Sequence, residues 1–125
     1  MQNKQSGFSL IEVMVAVAIM AIMTAMIAPS LYNQLTKAES VRVESDLMTI
    51  ETQAKFYYLD NYRLPNSINQ LVPQYFNTVP TDPWGKDYSI KLTNKKYVVL
   101  SAGPDGHRGT KDDVVRVLRL RGFKR

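Results

Sequence analysis

The stretch Gly7–Leu31, GFSLIEVMVAVAIMAIMTAMIAPSL, decides the fold of this 125-residue chain, because most of it has the composition of a membrane-spanning helix. No charged side chain occurs from Val13 to Thr36. The apolar run exceeds the roughly 20 residues needed to cross the hydrocarbon core of a bilayer. Glu12 lies near its start, where an unpaired carboxylate costs about 2.5–3.5 kcal/mol on insertion scales. This charge needs an explanation.

Two common kinds of N-terminal segment leave Glu12 unexplained. A secretory signal peptide usually has an apolar run of about 7–15 residues, whereas this run is longer and begins with a carboxylate. An ordinary membrane anchor would orient with Lys4 and the α-amine inside, but it gives the carboxylate no partner.

The string Gly7-Phe8-Ser9-Leu10-Ile11-Glu12 resembles the processing site of type IV prepilins and type II secretion pseudopilins. In that family a prepilin peptidase cleaves after the glycine, here Gly7, and N-methylates the new first residue, here Phe8. A glutamate at the fifth mature position, here Glu12, is characteristic. The resemblance implies three segments: a leader at 1–7, a transmembrane helix and assembly segment at 8–30, and a periplasmic domain at 31–125.

Cleavage would create the partner that Glu12 lacks. The new amine of Phe8 would lie within about one helical turn of the Glu12 carboxylate. Pairing within one subunit or between neighbouring subunits would offset the desolvation of both charges. The alternative is that Glu12 extends to the membrane interface without a partner.

The helix is predicted to continue past the membrane, with Pro29 as a point where it kinks or loosens. Ser30–Leu59 has an amphipathic pattern whose apolar stripe should face a folded domain. Asp60, Asn61 and Pro65 then end the helix. The stripe residues recur at steps of mostly three and four: Leu31, Leu35, Ala38, Val41, Leu47, Ile50, Ala54 and Tyr57.

The remainder of the chain is predicted to form a small antiparallel sheet. A short helix is expected at Ser67–Val72. Tyr88–Leu92 and Lys96–Leu100 flank a turn at Thr93-Asn94-Lys95, and Val114–Leu120 should be a third strand. The predicted fold class is therefore α+β, with a long N-terminal helix packed on this sheet, similar to type IV pilins. Trp84, in a DPWG turn typical of major pseudopilins, is expected to be a packing anchor.

The loop Ser101–Asp113 is the candidate metal site. It holds three of the eleven acidic residues and three of the six glycines. Hard cations such as Ca²⁺ prefer carboxylate and carbonyl oxygens, and glycines allow carbonyls to turn inward. The EF-hand spacing is missing. The alternative is a solvated loop that uses Asp and Gly only for its turns.

The resemblance to major pseudopilins implies a Ca²⁺ ion in this loop. The implied ligands are the side chains of Asp105, Asp112 and Asp113 and the backbone carbonyls of Ala102, Pro104 and Arg116. The family loop is often longer and more acidic. Here it contains Arg108 and Lys111, whose positive charges should lower the affinity.

The formal net charge of +5 comes entirely from the last ten residues. Residues 1–115 hold eleven basic and eleven acidic side chains, whereas RVLRLRGFKR adds five basic residues and no acid. Such an end could bind anionic lipid, nucleic acid or an acidic partner. Nucleic acid is not an expected partner, because surfaces that bind it usually have a wider basic footprint. A strand with solvated arginines is the expected structure.

No catalytic constellation is recognisable. The chain has no cysteine, so disulfides and thiolate chemistry are excluded. His107 is the single histidine and is expected to be a solvent-exposed turn residue. Neither a P-loop nor a dinucleotide fingerprint occurs. The protein is therefore predicted not to be an enzyme.

The resemblance implies a structural subunit of the type II secretion pseudopilus, a periplasmic filament that drives protein export. It would span the bacterial inner membrane once, with its C-terminal domain in the periplasm. The implied partners are further copies in a helical homopolymer, minor pseudopilins, the prepilin peptidase, the inner-membrane assembly platform with its ATPase, and membrane lipid. The alternatives are a type IV pilus or competence pilin, and a membrane-tethered calcium-binding module that does not polymerise.

Overall fold

The structure, a computed structural model, describes residues 6–119 as one long helix followed by a small sheet. This arrangement confirms the predicted α+β class. The chain divides into two compact units between Ala38 and Glu39, and each is described by itself. The elements are α1 (Leu10–Asn61), a short 3₁₀ helix (Ile68–Leu71), β1 (Ser89–Thr93), β2 (Lys96–Ser101) and β3 (Val114–Val117).

In the first unit, α1 presents apolar side chains to its surroundings on every side. Its most apolar 18-residue window has a mean hydropathy of 2.5 and no buried residue, so the helix can cross a membrane by length and composition. The Thr24 hydroxyl donates to the Met20 carbonyl at 2.8 Å. The apolar segment therefore keeps this hydroxyl satisfied without water. The α-helix continues through Pro29.

In the second unit, one face of α1 packs into the buried core. Val43, Leu47, Ile50, Ala54 and Tyr57 are buried and recur at steps of four, three, four and three. The last four of these residues were predicted to lie on the apolar stripe, and their burial confirms that part of the prediction.

The N-terminal half of the predicted stripe is wrong. Leu31, Leu35, Ala38 and Val41 are exposed. The second compact unit begins only at Glu39, and Val43 rather than Val41 continues the buried face.

The connection between helix and sheet is held by the buried carboxylate of Asp82. It accepts hydrogen bonds from the backbone N–H groups of Trp84 (3.1 Å) and Lys86 (2.8 Å) and from the Ser101 hydroxyl (2.8 Å). These donors offset the cost of burying the charge. Trp84 packs against the core, as predicted. The short helix predicted at Ser67–Val72 is observed at Ile68–Leu71, and Ser67 is its N-cap, because the Ser67 side chain accepts a hydrogen bond from the Asn69 N–H.

The sheet has the order β1-β2-β3 with both pairs antiparallel. Ile90 pairs with Val99, and Val99 pairs with Arg116. The hairpin turn has two residues rather than the predicted three. Asn94 and Lys95 both have positive φ (49° and 61°), as a type I′ turn requires.

The third strand is shorter than predicted, because it ends at Val117 instead of Leu120. The Leu118 N–H still donates to the Tyr97 carbonyl at 2.9 Å. Tyr88 and Leu118 join Ile90 and Val99 in the core against the helix. The fully buried Tyr88 also donates its hydroxyl to Asp46 at 2.8 Å, which ties the start of the sheet to α1.

Candidate functional site

The first turn of α1 is built around Ser9 and Glu12. The Glu12 N–H donates to the Ser9 hydroxyl oxygen at 3.3 Å, and the Val13 N–H donates to the Ser9 carbonyl at 3.3 Å. Ser9 is therefore the N-cap, and Glu12 occupies the third helical position of an S-x-x-E capping pattern. A carboxylate there also complements the positive end of the helix dipole. The spacing of Ser9 and Glu12 is the local sequence signal of this cap, whereas the charge of Glu12 alone does not indicate it.

Gly7 and Phe8 precede this cap and are open to other molecules. A Cβ atom at Gly7 would meet nothing within 4 Å. The Phe8 ring is 88% exposed. The described fold therefore sets no steric requirement for a glycine at this position.

The β2–β3 loop is organised by its three aspartates. Asp112 accepts from the Thr110 hydroxyl at 2.6 Å and from the Asp105 N–H at 3.1 Å. Asp105 accepts from the His107 N–H at 2.8 Å, and Asp113 accepts from the Gly109 N–H at 2.6 Å. Each carboxylate therefore stabilises a turn of the loop. The Thr110 hydroxyl, with help from the Asp105 N–H, holds the pKa of Asp112 below its usual value.

The two ends of the loop meet at Gly103. Its φ is +69°, and a Cβ there would stand 2.3 Å from the carbonyl oxygen of Asp112. Only glycine permits this approach. Ala102 beside it is buried, whereas Pro104 is exposed. His107 is exposed, as predicted.

The predicted metal ligands have the oxygen atoms that a hard cation prefers, but only two of the three aspartates lie together. All three acidic side chains offer oxygen. The structure brings Asp105 and Asp112 together, since the backbone of one bonds the carboxylate of the other. Asp113 is bonded to Gly109 instead. Within residues 6–119, no three His, Cys, Asp or Glu side chains form a group spaced to hold a metal ion.

Arg116, predicted to contribute a backbone carbonyl, has a side-chain role that the sequence did not reveal. Its Nε donates to Glu51 at 2.6 Å and its Nη1 donates to Glu44 at 3.0 Å. Lys55 lies 2.9 Å from the other oxygen of Glu51. The Glu51 side chain is 8% exposed, so this network fixes β3 to α1 through a nearly buried charge.

Comparison with known proteins matches both parts of the chain. The model of the prokaryotic N-terminal methylation motif covers residues 2–28, and that of type II secretion system protein G covers residues 30–119. The chain belongs to the type II secretion protein G family. It is 33% identical to type II secretion system core protein G of Escherichia coli K12, over 90% of each chain. The corresponding Dickeya chrysanthemi protein is also 33% identical, over 91% of this chain and 87% of its own.

A solved member of the family has the same fold. The crystal structure of the major pseudopilin from the type 2 secretion system of enterohaemorrhagic Escherichia coli matches with a TM-score of 0.61 and 31% identity, covering 70% of this chain and 93% of that one. The protein G model ends at residue 119. Arg121, Lys124 and Arg125 of the basic end therefore lie beyond the matched segment and outside the described residues.

Proposed function

We propose that this chain is a structural subunit of a type II secretion pseudopilus and not an enzyme. The observation that carries the proposal is the pairing of a methylation motif over residues 2–28 with a protein G domain over residues 30–119. Subunits would enter the inner membrane through the first part of α1, with the folded domain in the periplasm. They would then polymerise into a filament that drives protein export.

The partners follow from this role. A prepilin peptidase would cleave after Gly7 and methylate Phe8. An inner-membrane assembly platform with its ATPase would supply the energy, and minor pseudopilins would accompany the homopolymer. Membrane lipid would surround the exposed apolar helix before assembly. Support comes from the open surroundings of Gly7 and from a first unit that buries no residue of its apolar window.

The N-terminus of the mature chain tests processing. Mass spectrometry of the protein from a host with a prepilin peptidase should show a chain starting at N-methylated Phe8. Gly7→Leu should leave the leader attached, because a large side chain blocks close approach of the peptidase to the backbone. Membrane insertion should be unchanged in this variant. A wild-type chain that keeps Met1 would contradict the proposal and leave a plain membrane anchor.

We also propose that the β2–β3 loop binds Ca²⁺ through Asp105 and Asp112, with Asp113 and the backbone carbonyls of Ala102, Pro104 and Arg116 completing the set. The pairing of the first two aspartates supports this assignment. The bound ion would supply positive charge to a loop whose carboxylates are now satisfied by N–H and O–H donors. Because Ca²⁺ would bind only the folded loop, it would stabilise the native state.

Thermal unfolding of the full chain in detergent tests the calcium proposal. At Ca²⁺ about 100-fold above its dissociation constant, the midpoint should exceed that in EGTA by about 10 °C or more. Asp112→Asn should abolish this difference. Asp87→Asn removes an exposed carboxylate outside the loop and should retain it. Equal midpoints with Ca²⁺ and EGTA would show that the loop is held by its own hydrogen bonds.

A further inference from the structure

The strand β3 (Val114–Val117) forms an open edge of the sheet. It pairs with β2 alone, because the strand order is β1-β2-β3. Among residues 6–119, no other strand lies on its far side. Such an edge presents backbone N–H and C=O groups that can pair with an added strand, and proteins usually protect it with charged side chains.

The register of the sheet identifies the backbone groups at this edge. The Leu118 N–H donates to the Tyr97 carbonyl, so these two residues form a hydrogen-bonded pair of the ladder. Hydrogen-bonded and non-hydrogen-bonded pairs alternate along antiparallel strands. Val117 and Val115, one and three positions before Leu118, therefore occupy non-hydrogen-bonded pairs. Their N–H and C=O groups point away from β2, toward the open edge.

The side chains of β3 leave this edge unprotected. Val115 and Val117 are 55% and 40% exposed, and both are β-branched residues that suit a strand. Arg116 carries the only charge on the strand, but its guanidinium donates to Glu51 and Glu44 on α1. Its charge is therefore held toward the helix and not along the edge.

A cavity of about 370 Å³ lies beside the open edge. It is lined by Glu51, Val115, Arg116, Val117 and Arg119. Arg116 and Lys55 already neutralise Glu51. Arg119 is exposed and forms no ion pair within the part of the chain that the structure describes. Its positive charge is therefore the one that remains for a ligand, and a carboxylate would complement it.

The charges at the two edges of the sheet disfavour a second copy of this chain as the added strand. β1, the other edge, exposes Lys91, and the hairpin turn beside it exposes Lys95 and Lys96. Arg119 follows β3. Edge-to-edge pairing of two copies would place like charges side by side, which is destabilising. These charges favour an acidic strand as the partner.

We propose that the open edge of β3 binds an extended acidic segment of another protein by strand addition. The backbone groups of Val115 and Val117 would bond the added strand, and Arg119 would pair with one of its carboxylates. In this mode of recognition main-chain hydrogen bonds give affinity, and side-chain contacts give selectivity. The inference goes beyond the proposed function, because this surface does not require the chain to polymerise.

Fluorescence polarisation with synthetic peptides tests the proposal on the full chain in detergent. The probe is a labelled peptide of about eight residues that alternates glutamate and valine. It should bind, and N-methylation of the amides along one side should raise its dissociation constant at least about tenfold. N-methylation removes hydrogen-bond donors and keeps every charge. Equal binding of the two peptides, or binding of neither, would overturn the proposal.

Two pairs of variants locate the site. Val115→Pro removes an N–H at the open edge without removing a bond to β2, and it should weaken binding at least about tenfold. Val115→Thr keeps this N–H and should bind like the wild type. Arg119→Glu should weaken binding equally, whereas Lys91→Glu makes the same change of net charge at the other edge and should not. If Val115→Pro lowers the thermal midpoint, the second pair decides, and equal binding by Arg119→Glu and Lys91→Glu contradicts the proposal.

Amide hydrogen exchange followed by NMR identifies the bound edge. Exchange at Val115 and Val117 should slow at least about tenfold when the peptide is added. The Arg116 N–H, which faces β2, is the internal reference. Slow exchange at both valines without peptide would mean that the edge is already occupied, by a second copy if it depends on protein concentration and by the C-terminal end of the same chain if it does not. Either result would overturn the proposal.

Discussion

Glu12→Gln is expected to abolish filament assembly while leaving membrane insertion and cleavage after Gly7 intact. Glutamine keeps the size of the side chain and can still serve in the capping pattern with Ser9. It removes only the charge that would pair with the amine of Phe8. An uncompensated amine in an apolar interface costs about 3–5 kcal/mol, which is roughly 10²–10⁴-fold in association. Sedimentation of sheared filaments against the membrane-bound subunit measures the loss.

Ser9→Ala is the control that separates helix capping from charge pairing. It removes the cap of α1 and should cost about 1 kcal/mol of local helix stability, with filaments still formed. Normal assembly of Glu12→Gln would show that Glu12 serves the helix end alone. Loss of membrane insertion in the glutamine variant would contradict the separation of anchoring from assembly.

Glu51→Ala is expected to have the largest effect on the folded domain. The substitution leaves Arg116 with Glu44 as its carboxylate partner. It also removes the carboxylate that the Lys55 amine contacts. Breaking a fully buried pair costs about 3–5 kcal/mol. Because Arg116 is about a third exposed, we expect about 2–3 kcal/mol, which lowers the thermal midpoint by roughly 10 °C or more. Thermal unfolding of the full chain in detergent measures it.

Glu44→Ala is the matched control, since Glu44 contacts the same guanidinium but its side chain is 63% exposed. Its loss should cost less than about 1 kcal/mol. Equal losses in the Glu44 and Glu51 variants would mean that burial adds nothing to the network.

The same network predicts a pH dependence. Burial alone would raise the pKa of Glu51, but hydrogen bonds and charge from Arg116 and Lys55 hold it below the ordinary value of 4.5. A depressed pKa in the folded state stabilises the protein above the unfolded pKa and loses that contribution as the pH falls through the folded pKa. The difference in unfolding free energy between wild type and Glu51→Ala should therefore shrink below about pH 4.5.

Local signals in the sequence predicted the helices and strands of the fold. They did not predict which residues along the whole length of α1 face the core. Leu47, Ile50, Ala54 and Tyr57 were assigned correctly because their steps of three and four persist inside the folded domain. The prediction for Val41 was wrong, because an apolar residue at helical spacing can lie on either the buried or the exposed face of a helix. The sequence pattern does not state where the domain begins.

The other differences between the sequence-based predictions and the structure come from contacts between distant segments of the chain. Arg116 was expected to matter through its backbone, yet its side chain reaches Glu51, which is 65 residues away and carries no local signature of the pairing. The three loop aspartates were recognised from composition, whereas their separate hydrogen-bond partners depend on how the loop folds back. Ser9 could have been identified, since its relation to Glu12 is a local pattern.

Gly103 and Asp112 approach each other closely at the base of the β2–β3 loop, and we call this pair of positions the neck. Residues 104–111 lie beyond this neck, and the paired strands lie before it. Added residues there would lengthen the loop without shifting the register of Ser101 against Val114. Loop closure entropy rises only slowly with length, so each doubling costs about 0.6 kcal/mol. Insertions between these two positions should therefore leave the pairing of β2 with β3 intact.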